Sequence, residues 1–161
     1  MQNISQKLIT IILEFKEKLS LISDEEASIK LNPKKWSKKE ILGHLIDSAC
    51  NNQQKFVRMM NETELHFMGY RQDEWVASQN YNAAYWPELI DLWATFNLHI
   101  AHIMANVNPA VLENVIYIDD EGPSTLAYIM KDYPEHLKHH LKQIFPLEPG
   151  LENSFENVYR A

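Results

Sequence analysis

The sequence predicts an all-α fold: a four-helix bundle with a long connection between its second and third helices. Two observations carry this. Four segments of roughly 20 residues repeat apolar side chains at three- and four-residue intervals, the period of a helix with one buried face. Strand patterning is confined to the short run VIYID at 115–119, which is too isolated to build a sheet.

In the first segment, Leu8, Ile11, Ile12, Phe15 and Leu19 describe one apolar face on a helix over about 3–21. The second helix begins at WSKKEILGHL, where Ser37 can cap the free amides and Glu40 can return the hydrogen bond, and it runs to about Met60. Trp86 and Pro87 suit the entry of the third, whose stripe of Leu89, Trp93, Phe96, Ile100, Ile103 and Val107 ends near Asn108 and Pro109. The fourth follows DDEGPST, with Ser124 or Thr125 as the cap and FPLEPG as the stop. Pro134 falls inside it and removes the amide that would bond to the Met130 carbonyl, so a kink, or a meeting of two helices, is expected near Met130. The connection from about 62 to 85, TELHFMGYRQDEWVASQNYNAAYW, is long and aromatic, a pattern that fits a functional cover or a short extra helix.

At 161 residues the chain reads as one domain over 1–161, large enough to bury a core without disulfides. A net charge of −7, with lysines scattered or interleaved with acids, offers no basic stripe to a phosphate backbone and argues against nucleic acid as a partner. The amphipathic N-terminus is unlike a signal peptide and no apolar run approaches a membrane span, so a cytoplasmic protein with no membrane partner is expected. The single cysteine, Cys50, excludes an internal disulfide and a cysteine-based zinc site. A metal would have to rely on nitrogen and oxygen.

Nitrogen is abundant in one place. EHLKHHLKQI, residues 135–144, holds three histidines in five positions. With about 100° per residue, His136 and His140 share an edge of the apolar stripe set by Leu126, Met130, Leu137, Leu141 and Ile144, while His139 faces water. A pair at i, i+4 lets two imidazoles converge on one ion, and His44, at the edge of the apolar face of the second helix, is the natural third ligand. Three neutral imidazoles leave a divalent ion its full charge and an open position, which suits catalysis better than structure. His99 and His102 form a competing i, i+3 pair that converges less well and fits partial burial at a helix interface. His66 is weaker still. Histidines at apolar edges are also common as satisfied core residues, so spacing alone leaves the metal reading open.

WSKKEILGHLIDS and HLKHHLKQIF, in that order and separated by one helix and two connections, resemble the two motifs of the DinB/YfiT-like superfamily of four-helix metalloenzymes. The resemblance implies that His44, His136 and His140 are the metal-binding triad, that His139 is the additional histidine of the closing motif, and that Asp47 stands where relatives carry an acid. It further implies a homodimer, and a reaction of hydrolytic type or the transfer of a low-molecular-weight thiol such as bacillithiol or mycothiol. Pro134 departs from the family's unbroken helix.

The functional expectation is a metal-dependent enzyme, hydrolase or thiol transferase, acting on a small molecule. Its cofactor is one divalent transition-metal ion, zinc or nickel ahead of iron or copper, because nitrogen and water ligands suit all four. Asp47 is the candidate catalytic carboxylate, orienting His44 or accepting a proton. Tyr70 and Arg71 in the long connection are candidate groups for holding an anionic substrate. The competing class is a non-catalytic metal- or ligand-binding helical module, expected if the protein itself filled every coordination position.

Overall fold

A computed structural model of the chain describes residues 1–152; positions 153–161 of the expected single domain lie outside the described residues. Four long helices form the bundle: α1 (Gln2–Ser20), α3 (Lys38–Met59), α5 (Trp86–Ala105) and α6 (Leu126–Ile144). Helix α1 packs on α5 and α6, and α3 packs on α5 and α6, which closes the ring. The predicted stripes fill the centre, with Leu8, Ile12, Phe15 and Leu19 of α1 meeting Trp93, Ile100 and Met104 of α5 in one buried cluster. No helix among the described residues is long and apolar enough to cross a membrane.

The entry of α3 is fixed twice. Ser37 Oγ accepts from the Glu40 amide at 3.2 Å, and Glu40 Oε2 accepts from the Ser37 amide at 2.7 Å, closing the capping box that the sequence announces. A short helix α2 (Asp24–Ser28) then ties α3 to α5, because Asp24 Oδ1 takes the buried Lys39 ammonium at 2.9 Å and the Trp86 amide at 2.8 Å. Helix α6 opens on Thr125, whose hydroxyl accepts from the Tyr128 amide at 3.1 Å. A single helix continues across Pro134, so two helices do not meet near Met130. One missing amide is tolerated because Met130, Tyr133, Pro134 and Leu137 are all buried and hold both sides to the bundle.

The sheet is the larger departure. VIYI at β2 (Val115–Ile118) is not isolated: it pairs in parallel with β1 (Glu64–Phe67) and antiparallel with β3 (Glu121–Thr125), in the order β1-β2-β3. Its partners carry weaker strand signals. ELHF alternates polar and apolar residues, with Leu65 buried, but over only four positions, and EGPST contains glycine and proline. Asp119, with φ at +50°, supports the tight β2–β3 turn, a left-handed conformation that aspartate tolerates.

The connection between α3 and α5 holds β1, the eight-residue helix α4 (Gln72–Gln79) and a 3₁₀ turn over Tyr81–Ala83. The Tyr81 ring lies directly against Gly43 of α3, where a methyl group would overlap the ring carbons. Glycine is required here for close approach rather than for its backbone freedom. Gly43→Ala should therefore cost about 1–3 kcal/mol by displacing a well-packed ring. Urea denaturation measures it, and an unchanged midpoint would show that Tyr81 is not seated as described.

Candidate metal centre

The α3–α6 contact brings together His44, His136 and His140, each at most 8% exposed. One nitrogen from each lies within 4.8 Å of the other two. Nε2 of His44 and Nε2 of His136 are 3.4 Å apart. Two nitrogens bound tetrahedrally at zinc-like distances of about 2.0–2.1 Å would be about 3.4 Å apart, so this pair already has the spacing of a shared ion.

Neighbouring side chains fix which nitrogens face inward. Nδ1 of His140 is 3.1 Å from Gln143 Oε1, an acceptor, so the proton sits on Nδ1 and the Nε2 lone pair is left for the centre. The amide of Gln143 is held in that orientation as its Nε2 approaches His139 Nε2 at 3.4 Å. Nδ1 of His136 is 3.3 Å from Ser48 Oγ, and that hydroxyl in turn accepts from Asn52 Nδ2 at 3.3 Å, which leaves its own proton for the ring nitrogen or a lone pair for the ring N–H. His44 Nδ1 is buried with no hydrogen-bond partner among the described residues. Converging imidazole nitrogens with too few protons among them are poorly satisfied by one another. An electrophile between them would satisfy all three, and a divalent first-row ion is the group that this donor set fits.

Burial keeps the cluster neutral. Desolvation, followed by repulsion from His140, pushes His44 down to about 3. Desolvation also pushes His140 down to about 4, against its hydrogen bond to Gln143 Oε1, which raises it. His136 falls well below its ordinary range, first by desolvation and then by the charges of His140 and His44. The indole of Trp36, half-buried before the cap of α3, covers two members of the set, with its ring centred 5.0 Å from His44 and 6.4 Å from His140.

Asp47 is buried one turn beyond His44 but is directed elsewhere. Its Oδ1 accepts from Tyr81 Oη at 2.7 Å and Gln79 Nε2 at 2.8 Å, so its bonds run to the long connection and not to His44 Nδ1. Its Oδ2 is buried with no partner among the described residues. Desolvation raises its carboxyl, opposed by those two hydrogen bonds. Tyr70 is half-buried with its ring 4.9 Å from Trp75, and burial together with the nearby Asp47 and Cys50 keeps its phenol protonated. Arg71 is not brought to the histidines: it is exposed and paired with Glu74 at 3.0 Å.

The competing pair is also off the site. His99 and His102 are both exposed, not partly buried, because the packed face of α5 runs through Trp93, Asn97, Ile100 and Met104. His66 is exposed on β1, stacked on Tyr117 and 3.1 Å from Glu64. His139 is half-buried beside Gln143 rather than fully in water. Sequence reasoning did not assign roles to Trp36, Ser48 and Gln143. Ser48 and Gln143 stand four and three residues after a ligand candidate, the helical spacing at which they could have been sought.

The sequence pattern of the DinB superfamily matches residues 14–144, which include both motifs and all three histidines. The chain belongs to the DinB superfamily. A Bacillus mycoides (strain KBAB4) protein named "Putative metal-dependent hydrolase" is similar to this DinB chain, at 24% identity over 118 residues. That match covers 72% of this chain and 66% of the relative, just under two thirds of its length. YfiT from Bacillus subtilis, described as a probable metal-dependent hydrolase with an unusual four-helix bundle topology, superposes with a TM-score of 0.77. It covers 89% of this chain and 85% of its own at 19% identity, a likeness that shows the DinB fold.

The buried imidazoles set a pH dependence for the metal-free DinB chain. Their folded-state values lie below the ordinary 6.5, so the unfolded chain takes up protons that the folded chain refuses. Their effect is absent well above 6.5, and stability falls as the pH drops from about 6.5 towards 4. Urea denaturation across this window should show the decline, and His44→Gln should make it shallower. A profile flat down to the lower limit would contradict the burial of the cluster.

Proposed function

We propose that this chain is a metal-dependent enzyme, of hydrolase type, whose ion is held by His44, His136 and His140. The observation that carries the reading is the convergence of three buried, neutral imidazoles from two helices. The names of its relatives support the reaction type. A divalent ion held there supplies Lewis acidity, which makes an oxygen or sulfur nucleophile available at neutral pH.

The protein's own part is to fix and shield. Gln143 and Ser48 hold the rings of His140 and His136 through their outer nitrogens, an arrangement that raises ligand basicity and sets ring orientation. Asp47 has Oδ1 committed to Tyr81 and Gln79, which leaves Oδ2 as the acceptor for a proton from the substrate. Tyr70, kept protonated, is a hydrogen-bond donor on the covering segment. Transfer of a low-molecular-weight thiol is the alternative reaction for the same donor set, and a ligand-binding module without catalysis is the alternative class. A homodimeric, cytoplasmic protein using zinc or nickel belongs to the same proposal, and light scattering tests the dimer.

Elemental mass spectrometry of the purified, untagged chain tests the centre. The expected result is about one ion per chain, lost in His44→Ala and His140→Ala and kept in His139→Ala. Ser48→Ala should retain the fold but bind the ion roughly 10- to 100-fold more weakly in a chelator competition. A chain that takes up no zinc, nickel, iron or copper on reconstitution overturns the reading.

A further inference from the structure

Five of the chain's 15 basic residues fall within ten positions, Lys30, Lys34, Lys35, Lys38 and Lys39, in a protein of net charge −7. Three are neutralised: Lys30 by Glu40 at 2.7 Å, Lys38 by Glu26 at 2.7 Å and Lys39 by Asp24 at 2.9 Å. Lys34 and Lys35 are exposed and have no carboxylate within ion-pair distance among the described residues. They are presented by an ordered turn, in which Asn32 Oδ1 accepts from the Lys34 amide at 2.9 Å and the Asn32 carbonyl from the Lys35 amide at 2.9 Å.

A cavity of about 210 Å³ opens beside this turn, lined by Lys34, Lys35 and Trp36 on one side and by Asp73, Val76 and Ala77 of α4 on the other. Lys30 and Glu40 also line it and cancel, so Lys34 and Lys35 against Asp73 leave the cavity with one net positive charge. Trp36 is the element shared with the centre, since it lines the cavity and its indole lies tilted against His44 and His140, with ring centres 5.0 Å and 6.4 Å away.

We propose that this cavity is the anion-recognising entrance to the histidine cluster: Lys34 and Lys35 bind a carboxylate or phosphate group of a small molecule while Trp36 contacts its apolar part. The volume suits one such group and a short stem, less than the 300–1,000 Å³ of sites that enclose a whole ligand. In this proposal the remainder of the molecule extends past Trp36, whose ring centre lies 5.0 Å from that of His44. Two ammonium groups without carboxylate partners on one turn give charge-assisted hydrogen bonds to a common anion, and the indole beside them adds apolar area at little conformational cost. Only the step beyond Trp36 rests on the metal-dependent reading; the anion site stands on the cavity itself.

The probes are succinate and inorganic phosphate, titrated into the zinc-loaded and the metal-free chain at low ionic strength, with chloride at matched ionic strength as the control. Calorimetry reads affinity, and imidazole ¹H–¹⁵N spectra read the histidines. Both anions are expected to bind, about tenfold more weakly in the Lys34→Gln/Lys35→Gln double variant, the loss expected for two solvent-exposed ion pairs. Lys38→Gln, whose lysine is already paired with Glu26, should leave affinity unchanged. Succinate should shift the signals of His44 and His140 but not those of exposed His66. Equal affinity in the double variant, no binding beyond the chloride control, or histidine signals that stay fixed overturns the proposal. Running both forms separates the two readings, because a chain that holds no zinc defeats the metal reading while the lysine dependence is still decided.

Discussion

Three imidazoles held neutral and buried by two different helices are the constraint on which the rest of the structure depends. His44 rides on α3, and His136 and His140 ride on α6, so the cluster exists only in one register of that helix pair. A slip of one turn would move a ring by about 5.4 Å, more than the spread of the three nitrogens. Both ends of the pair are accordingly fixed. At the entry of α3, the capping box and the Asp24 clamp set its position against α5. On α6, the buried Tyr133 hydroxyl donates to Asn97 Oδ1 at 2.6 Å and ties the helix to α5 from the other side.

The small sheet completes that fixation, which explains why a helical bundle carries one. Strand β1 follows the exit of α3 and β3 leads directly into α6, so pairing both with β2 joins the far ends of the two helices that bear the histidines. Asn114, next to β2, donates to the Met59 carbonyl at 2.6 Å and so satisfies the last turn of α3. The same connection supplies the cover. Tyr81 reaches over Gly43 to Asp47, and Gln79 reaches the same carboxylate, so one buried acid organises the segment beside the centre.

The bundle was legible because each helix carries a period, and periods are local. The α3 cap was legible for the same reason, as Ser37 and Glu40 are three residues apart. His136 and His140 could be paired by helical spacing, and His44 joined them by lying on an apolar edge. What escaped was non-local. ELHF alternates over four residues only, too short to stand as a strand alone, and becomes one because VIYI lies beside it. Asp47 and His44 are three residues apart and share a helix face, yet Asp47 turns to Tyr81, 34 positions away, a choice that only packing decides. Arg71 looked useful in a long connection, but as the residue before α4 it points to solvent and meets Glu74.

The cluster also bears on why such a site is retained. Burying polar nitrogens, one of them unpartnered, costs stability that an apolar replacement would not. Pure structural selection would favour leucine at these positions, in contact with Leu45 and Leu141 of the surrounding core. Any group that binds the folded chain and not the unfolded one returns stability as RT ln(1 + c/Kd), which grows with its free concentration c relative to its dissociation constant Kd. A folded state that spends stability on three converging imidazoles is therefore coupled to whatever they hold. Part of that expense lies at His44 Nδ1 in the centre itself, while the capping box and the Asp24 clamp that position its helix are paired.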